Sequence, residues 1–275
     1  MKANILLLLF LCLGFSTKAQ AEKQSLPSDS ELAAIHDSIC SEAYILYDFE
    51  KCAWNSGDSF TENCKSKIKK KVDGVMTYAL SEKALTTIYF NTEEWKCYYQ
   101  YIQNGQDSTV VISEPRDIEP NEFSLFNLIL RARTQIAQMN VLPTNSALGP
   151  LNMDVIPMSE NLIRIYFVQG ANRRYVIPFG NDFCFDFDGQ GNLITWRKFH
   201  SGLIASEWEK GNPPTMLMHS HLEMSPYITT TDICTFMLYG YGLYGLKSFK
   251  VYSKVFGQCF EFNAEKFEIK CVPLM

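Results

Sequence analysis

Two histidines one residue apart, His219 and His221, are followed by Asp232 in the stretch HSHLEMSPYITTTD, and these are the side chains of this chain best spaced to do chemistry. The preceding Thr215-Met216-Leu217-Met218 reads as a short buried strand. Alternate side chains of a strand share a face, so both imidazoles point the same way. Pro226 closes the loop that follows. Thr229-Thr230-Thr231-Asp232, ahead of ICTFMLY, reads as a helix start with threonine as cap and aspartate in the positive first turn. Such a helix presents Asp232 back toward the strand end. Two neutral imidazoles and a carboxylate fill three positions of a tetrahedral zinc site. The fourth is left for a water whose pKa the metal lowers to roughly 7, which suits attack on an amide carbonyl.

The stretch resembles the signature of the JAMM (MPN-plus) metallopeptidases, which is His-x-His, seven residues, then Ser-x-x-Asp. Here the seven are Leu222 to Ile228, Thr229 stands at the serine and Asp232 at the aspartate. Leu222 replaces the proline that the family places after the second histidine. The resemblance implies that His219, His221 and Asp232 bind zinc and that Thr229 helps to stabilise an oxyanion. It also implies an upstream glutamate that moves protons between the water and the leaving amine. Glu160, just before the apolar run Leu162 to Val168, has the separation and position expected of that residue, with Asp182 and Glu207 as substitutes. The small-residue, glycine-containing surroundings of the family's glutamate are absent.

At the other end of the chain, Lys2, the apolar run Ile5 to Phe15 and the small-x-small site Ala19-Gln20-Ala21 read as an export signal. The mature chain then begins at Glu22 and is periplasmic or secreted. Removing 21 of the 275 residues leaves about 250, enough for one large domain or two small ones. No later stretch is long and apolar enough to span a membrane. A net charge of −5 gives no electrostatic case for nucleic acid. The lysine run from Lys65 to Lys71 reads as the solvated face of a helix. Of the eight cysteines beyond the signal, Cys52 and Cys64 flank a Gly-Asp-Ser loop and are placed to bridge. Cys259 and Cys271 fall on opposite faces of a closing hairpin, and Cys97, Cys184 and Cys234 lie in apolar runs.

The elements that must position the motif follow from periodicity. Ser28 and Glu31 have capping-box spacing, and Leu32, Ile35, Ile39, Leu46 and Phe49 continue a helix to about Cys52. TTIYF, CYYQYI and STVVI form a small antiparallel meander. Asn121 caps a helix carrying Phe123, Phe126, Ile129 and Ile136. Residues 139–157, rich in Pro, Asn, Ser and Gly, read as a linker. Strands are expected at Leu162 to Val168, Tyr175 to Pro178, Phe183 to Phe187 and Leu193 to Phe199, then the histidine strand, a helix and three closing strands. Trp196, Lys198 and His200 alternate, which brings His200 toward the site. Asp186 and Asp188 before glycine suggest a calcium loop, but Arg197 occupies the position that needs a glutamate, so this is a hairpin turn.

The expectation is an α+β protein, a mixed sheet with flanking helices. A signal peptide (1–21) and an N-terminal region of helix and antiparallel strands (22–140) precede a JAMM-like metal-binding domain (141–275). Its function is that of an exported zinc hydrolase acting on a peptide or isopeptide bond of a peptide or protein substrate. The rival is a degenerate JAMM-like binding or structural module of the bacterial envelope.

Overall fold

The computed structural model describes residues 24–273 apart from 82, 106, 112–114 and 144–147, so the stretch expected to be an export signal lies outside the described residues. The Ser28 hydroxyl donates to Glu31 Oε2 at 2.6 Å and the Ser28 backbone N–H donates to the same atom at 3.0 Å, which starts α1 (Asp29–Asn63) at the expected capping box. The helix runs further than its apolar spacing predicts. Phe60 stacks on Tyr89 at 4.2 Å and holds the last turns against the neighbouring sheet, so Gly57-Asp58-Ser59 is helical rather than a loop. Cys52 and Cys64 therefore stand about 18 Å apart along one helix. Both are free thiols and do not bridge.

After the single turn α2 (Ser66–Lys69), which carries part of the lysine run, the chain forms an antiparallel meander of β1 (Gly74–Ser81), β2 (Ala84–Asn91), β3 (Lys96–Asn104) and β4 (Asp107–Val111). A short β5 (Arg116–Asp117) also pairs with β3. Helix α3 (Pro120–Met139) is capped by Glu119 rather than Asn121, because Pro120 is suited to the first helical position, where its missing N–H costs nothing. The last seven residues of the expected linker belong to strand β6 (Leu151–Ser159). Its Pro157 is tolerated because β6 is the edge of the sheet β10-β9-β7-β6. The partners there are β7 (Leu162–Gln169), β9 (Phe183–Asp188) and β10 (Leu193–Lys198). Between them, β8 (Val176–Gly180) pairs with β11 (Leu203–Glu207) as a two-stranded ribbon.

The last sheet is mixed, as expected. Strand β12 (Met218–His221) lies parallel to β13 (Ser248–Ser253), which continues antiparallel into β14 (Gln258–Asn263) and β15 (Glu268–Val272). Between β12 and β13 come α4 (Thr230–Thr235), a π-helical turn (Phe236–Tyr241) and α5 (Gly242–Tyr244). About 31% helix and 38% strand make the fold α+β. No helix of the described residues is long and apolar enough to cross a membrane.

Two cores join residues on either side of position 140. The larger packs Leu32, Leu46 and Phe49 of α1 against Tyr166, Phe236, Phe249 and Phe262. The other sets Met76, Ile88 and Ile129 against Val155, Phe167 and Phe185. Beside the second core, buried Glu122 accepts hydrogen bonds from Arg116 at 2.7 and 2.8 Å and from the Tyr78 hydroxyl at 2.6 Å. Burial alone would raise its carboxyl, but Arg116, Tyr78 and the Glu119 N–H outweigh burial and hold it below the ordinary value. A depressed acid contributes stability above its unfolded pKa, about 4.3, and loses that contribution as pH falls. Glu122→Gln should lower the unfolding free energy by roughly 1–3 kcal/mol at neutral pH. Urea titrations between neutral and acid pH should show a smaller acid-side loss in the variant than in the wild type.

Candidate metal centre

Three of the four histidines of the chain converge with Asp232 in the interior. The pairing of β12 with β13 sets His219 opposite Val251 and His221 opposite Ser253. Both imidazoles thus point to the core face, as alternation requires, while Met218 and Ser220 point outward. Asp232 arrives from the first turn of α4, where Thr229 is the cap. The Thr229 N–H and hydroxyl donate to Asp232 Oδ2 at 2.9 and 2.8 Å, and the Asp232 N–H returns a bond to Thr229 Oγ1 at 3.2 Å. The third imidazole is that of His200, two residues beyond β10. The connection from β8 to β9 braces this segment: a Cβ on Gly180, at φ +78°, would stand 2.2 Å from the Gly202 carbonyl oxygen and 3.2 Å from His200 Cβ. Only glycine lets the two segments approach this closely.

The donor atoms lie on a small closed figure. His200 Nε2 is 2.8 Å from His221 Nε2, which is 3.1 Å from His219 Nε2. Asp232 Oδ1 is 3.2 Å from both His200 Nε2 and His219 Nε2. Bonds of 2.0–2.1 Å to a central ion separate neighbouring ligands by about 2.9 Å at right angles and about 3.4 Å at tetrahedral angles, and the observed separations of 2.8–3.2 Å lie from the right-angle value to partway toward the tetrahedral one. Asp232 Oδ1 is buried yet accepts a properly directed hydrogen bond from none of the rings around it. With Oδ2 already satisfied, this orphaned oxygen is what a metal ligand looks like before its ion is considered.

The second layer fixes the tautomers a metal needs. His221 Nδ1 donates to the Tyr227 carbonyl, which leaves Nε2 as a lone pair. His200 Nδ1 lies 2.8 and 2.9 Å from the two Asp182 oxygens, and the Thr231 hydroxyl donates to the same carboxylate. Carboxylates placed behind ligand histidines in this way raise their basicity and fix their orientation. Burial disfavours charge on His200, but Asp232 and Asp182 outweigh it and push this imidazole up to about 11. Burial, joined by positive charge on His200 and His219 against the pull of Asp232, lowers His221 to about 4. Burial also works against the Asp232 charge, and the three imidazoles overcome it, holding the carboxyl well below its usual range. A cation at the centre would take over from the His200 proton the neutralising of two carboxylates.

The structure brings His219, His221, Asp232 and Thr229 together and adds His200 and Asp182. Glu160 is exposed in the β6–β7 turn, with its carbonyl beside Gly189 at the end of β9. Asp182 immediately precedes β9, so Glu160 lies a strand length, about 17 Å or more, from the cluster. Glu207 closes β11 opposite Val176 and pairs with Arg173 on the surface. Asp188 accepts from the Gln190 and Asn192 N–H groups as a hairpin turn should, and Asp186 pairs with Arg164. The only advance signal for His200 was its alternation with Trp196 and Lys198. Asp182, expected as a substitute for the glutamate, is buried behind His200 instead, and its pairing with that ring depends on the β8–β9 connection folding back. No protein-family model matches the chain, and neither does any curated protein or solved structure.

Asp182→Asn keeps the shape of the side chain and removes its charge. It should weaken metal binding about 10–100-fold, as measured by competition with a chromogenic chelator, while near-ultraviolet circular dichroism of the loaded protein stays unchanged.

Proposed function

We propose that this chain is an exported zinc-binding protein in which His200, His219, His221 and Asp232 hold the ion as an internal staple. The observation that carries this reading is the convergence of four protein donors, with side chains no more than 6% exposed, within 2.8–3.2 Å of their neighbours. Structural zinc sites have four protein ligands, whereas catalytic sites keep one position open. Three imidazoles and a carboxylate suit zinc, and the donor set lacks the thiolate or thioether that would select a softer ion. Bound there, the ion would tie β12, α4, the segment after β10 and, through Asp182, the β8–β9 connection. A module built this way would serve the envelope as a binding or structural component for a peptide or surface partner.

A second reading is the zinc-dependent peptide or isopeptide hydrolase implied by the resemblance. It is favoured by the convergence of His219, His221 and Asp232 beside Thr229. Three placements weigh against it. His200 adds a fourth donor, the Thr229 hydroxyl donates to Asp232, and Glu160 stands far from the cluster.

Elemental analysis of the purified mature protein should find close to one zinc per chain, with zinc lost in His219→Ala, His200→Ala and Asp232→Ala. Chelation should lower the melting temperature by several degrees, because a ligand bound only to the native state stabilises it. A wild type that folds equally well and carries no metal would sink both readings. Peptide or isopeptide cleavage that needs zinc and is abolished by His219→Ala and Asp232→Ala would replace the first reading with the second.

A further inference from the structure

A cleft lined by none of the candidate metal ligands runs between β1 and β6, the facing edge strands of two sheets, with α1 and α3 at its sides. Its volume is about 810 Å³, in the range of about 300–1,000 Å³ usual for small-molecule sites. Met76, Phe126, Ile129 and Met153 make the walls apolar. Two carboxyl groups, Glu50 of α1 and Asp154 of β6, also line it, each only 5% exposed. Asn152 Nδ2 donates to Glu50 Oε2 at 3.0 Å, but Glu50 Oε1 and Asp154 Oδ2 receive a bond from no donor N–H or O–H.

Burial, followed by repulsion from Glu50, raises Asp154 well above the carboxylate range, and burial raises Glu50 as well. The two carboxyl groups stand close enough for Glu50 to add repulsion to burial at Asp154, so a cation placed against them would relieve both. Among the described residues no lysine or arginine pairs with either one. The other titratable groups beside them are the Cys234 thiol and the Tyr239 hydroxyl, and burial pushes both up. Buried charges in proteins are ordinarily paired. The Trp54 and Tyr239 rings, with centroids 5.5 Å apart, line the same end of the cleft; Lys51 Nζ lies 5.8 Å from the Trp54 centroid, and Tyr239 offers its ring to a further cation.

We propose that this cleft binds a ligand carrying an ammonium group on an apolar body. The ammonium sits against Glu50 and Asp154 beside Trp54 and Tyr239, and the body lies along Met76, Phe126 and Met153. The ammonium can belong to a free amine or to the N-terminus of a peptide, since both offer the same chemistry to the carboxyl pair. The site uses none of the metal ligands, so it stands or falls separately from the zinc reading.

Isothermal titration of the full mature protein with 2-phenylethylamine and with 2-phenylethanol, its neutral counterpart, tests the proposal. The amine should bind at least about tenfold more tightly, because a charge-assisted hydrogen bond in a buried setting is lost in the alcohol. Asp154→Asn, close in shape, should erase most of that preference. A phenylalanyl dipeptide amide identifies the source. Tighter binding than the amine assigns the site to peptide N-termini, and weaker binding to free amines. Equal affinity for amine and alcohol, or no binding of either by wild-type protein up to about 10 mM, would overturn the proposal without recourse to any variant.

Discussion

Asp232 is a carboxylate with almost no contact with water, and the arrangement of the C-terminal half follows from having to neutralise it. An ionised carboxylate in an apolar interior is unfavourable unless donors and positive charge surround it. The first turn of α4 supplies two donors, the Thr229 N–H and hydroxyl, and both go to one oxygen. The other oxygen is left to His200 and His219, with His221 3.3 Å from Oδ2, and the three rings come from two separate parts of the chain, β12 and the segment after β10. Bringing them to one point requires β12 to pair parallel with β13, the β8–β9 connection to turn tightly at Gly180, and the segment after β10 to fold back over that turn. A positive ion suits this geometry, because it would take the lone pairs of all three rings at one point and replace the His200 proton in neutralising Asp232 and Asp182.

The same constraint separates a staple from a catalyst. A hydrolytic zinc site needs an open position and a nearby base. Here the nearest additional carboxylate, Asp182, is already engaged by His200 Nδ1 and the Thr231 hydroxyl. Thr229 is likewise committed, since its hydroxyl holds Asp232 in place. Both residues act on ligands rather than on anything outside the cluster. The His-x-His-to-Asp spacing is therefore compatible with two chemistries, and the residue that distinguishes them, His200, lies far from the motif in sequence.

The motif was legible because it rests on local rules, namely alternation along a strand and a threonine cap followed by an acid three residues on. The meander, the β9–β10 hairpin turn and the three closing strands were legible for the same reason. What could not be read depends on tertiary contact. The extension of α1 beyond Cys52 comes from Phe60 packing on Tyr89, and β6 hides in a Pro- and Asn-containing stretch because an edge strand tolerates Pro157. Strands β1 and β11 carry weak patterns and are defined mainly by their partners. The cysteines show the limit of counting. An even number in an exported chain suggests bridges, yet all eight described thiols are free and six of them are buried. Shielding rather than pairing keeps those six out of redox chemistry.

One helix links the two polar features of the interior. At its start Asp232 faces the imidazoles. Cys234, two residues on, lies close enough to Glu50 and Asp154 for their charge to add to burial in raising its thiol, and Tyr239 of the following π-helical turn lines the cleft. π-Turns are rare and tend to mark places where a helix serves a site. Here the turn coincides with Gly240, where a Cβ would stand 2.5 Å from the Phe236 ring, so the wider helix and the missing side chain together seat Phe236 in the main core. The helix is thus held at its N-terminus by the His/Asp cluster and along its length by the apolar core. The position of the Tyr239 ring at the cleft depends on that same anchoring, even though the cleft's carboxyl pair belongs to α1 and β6.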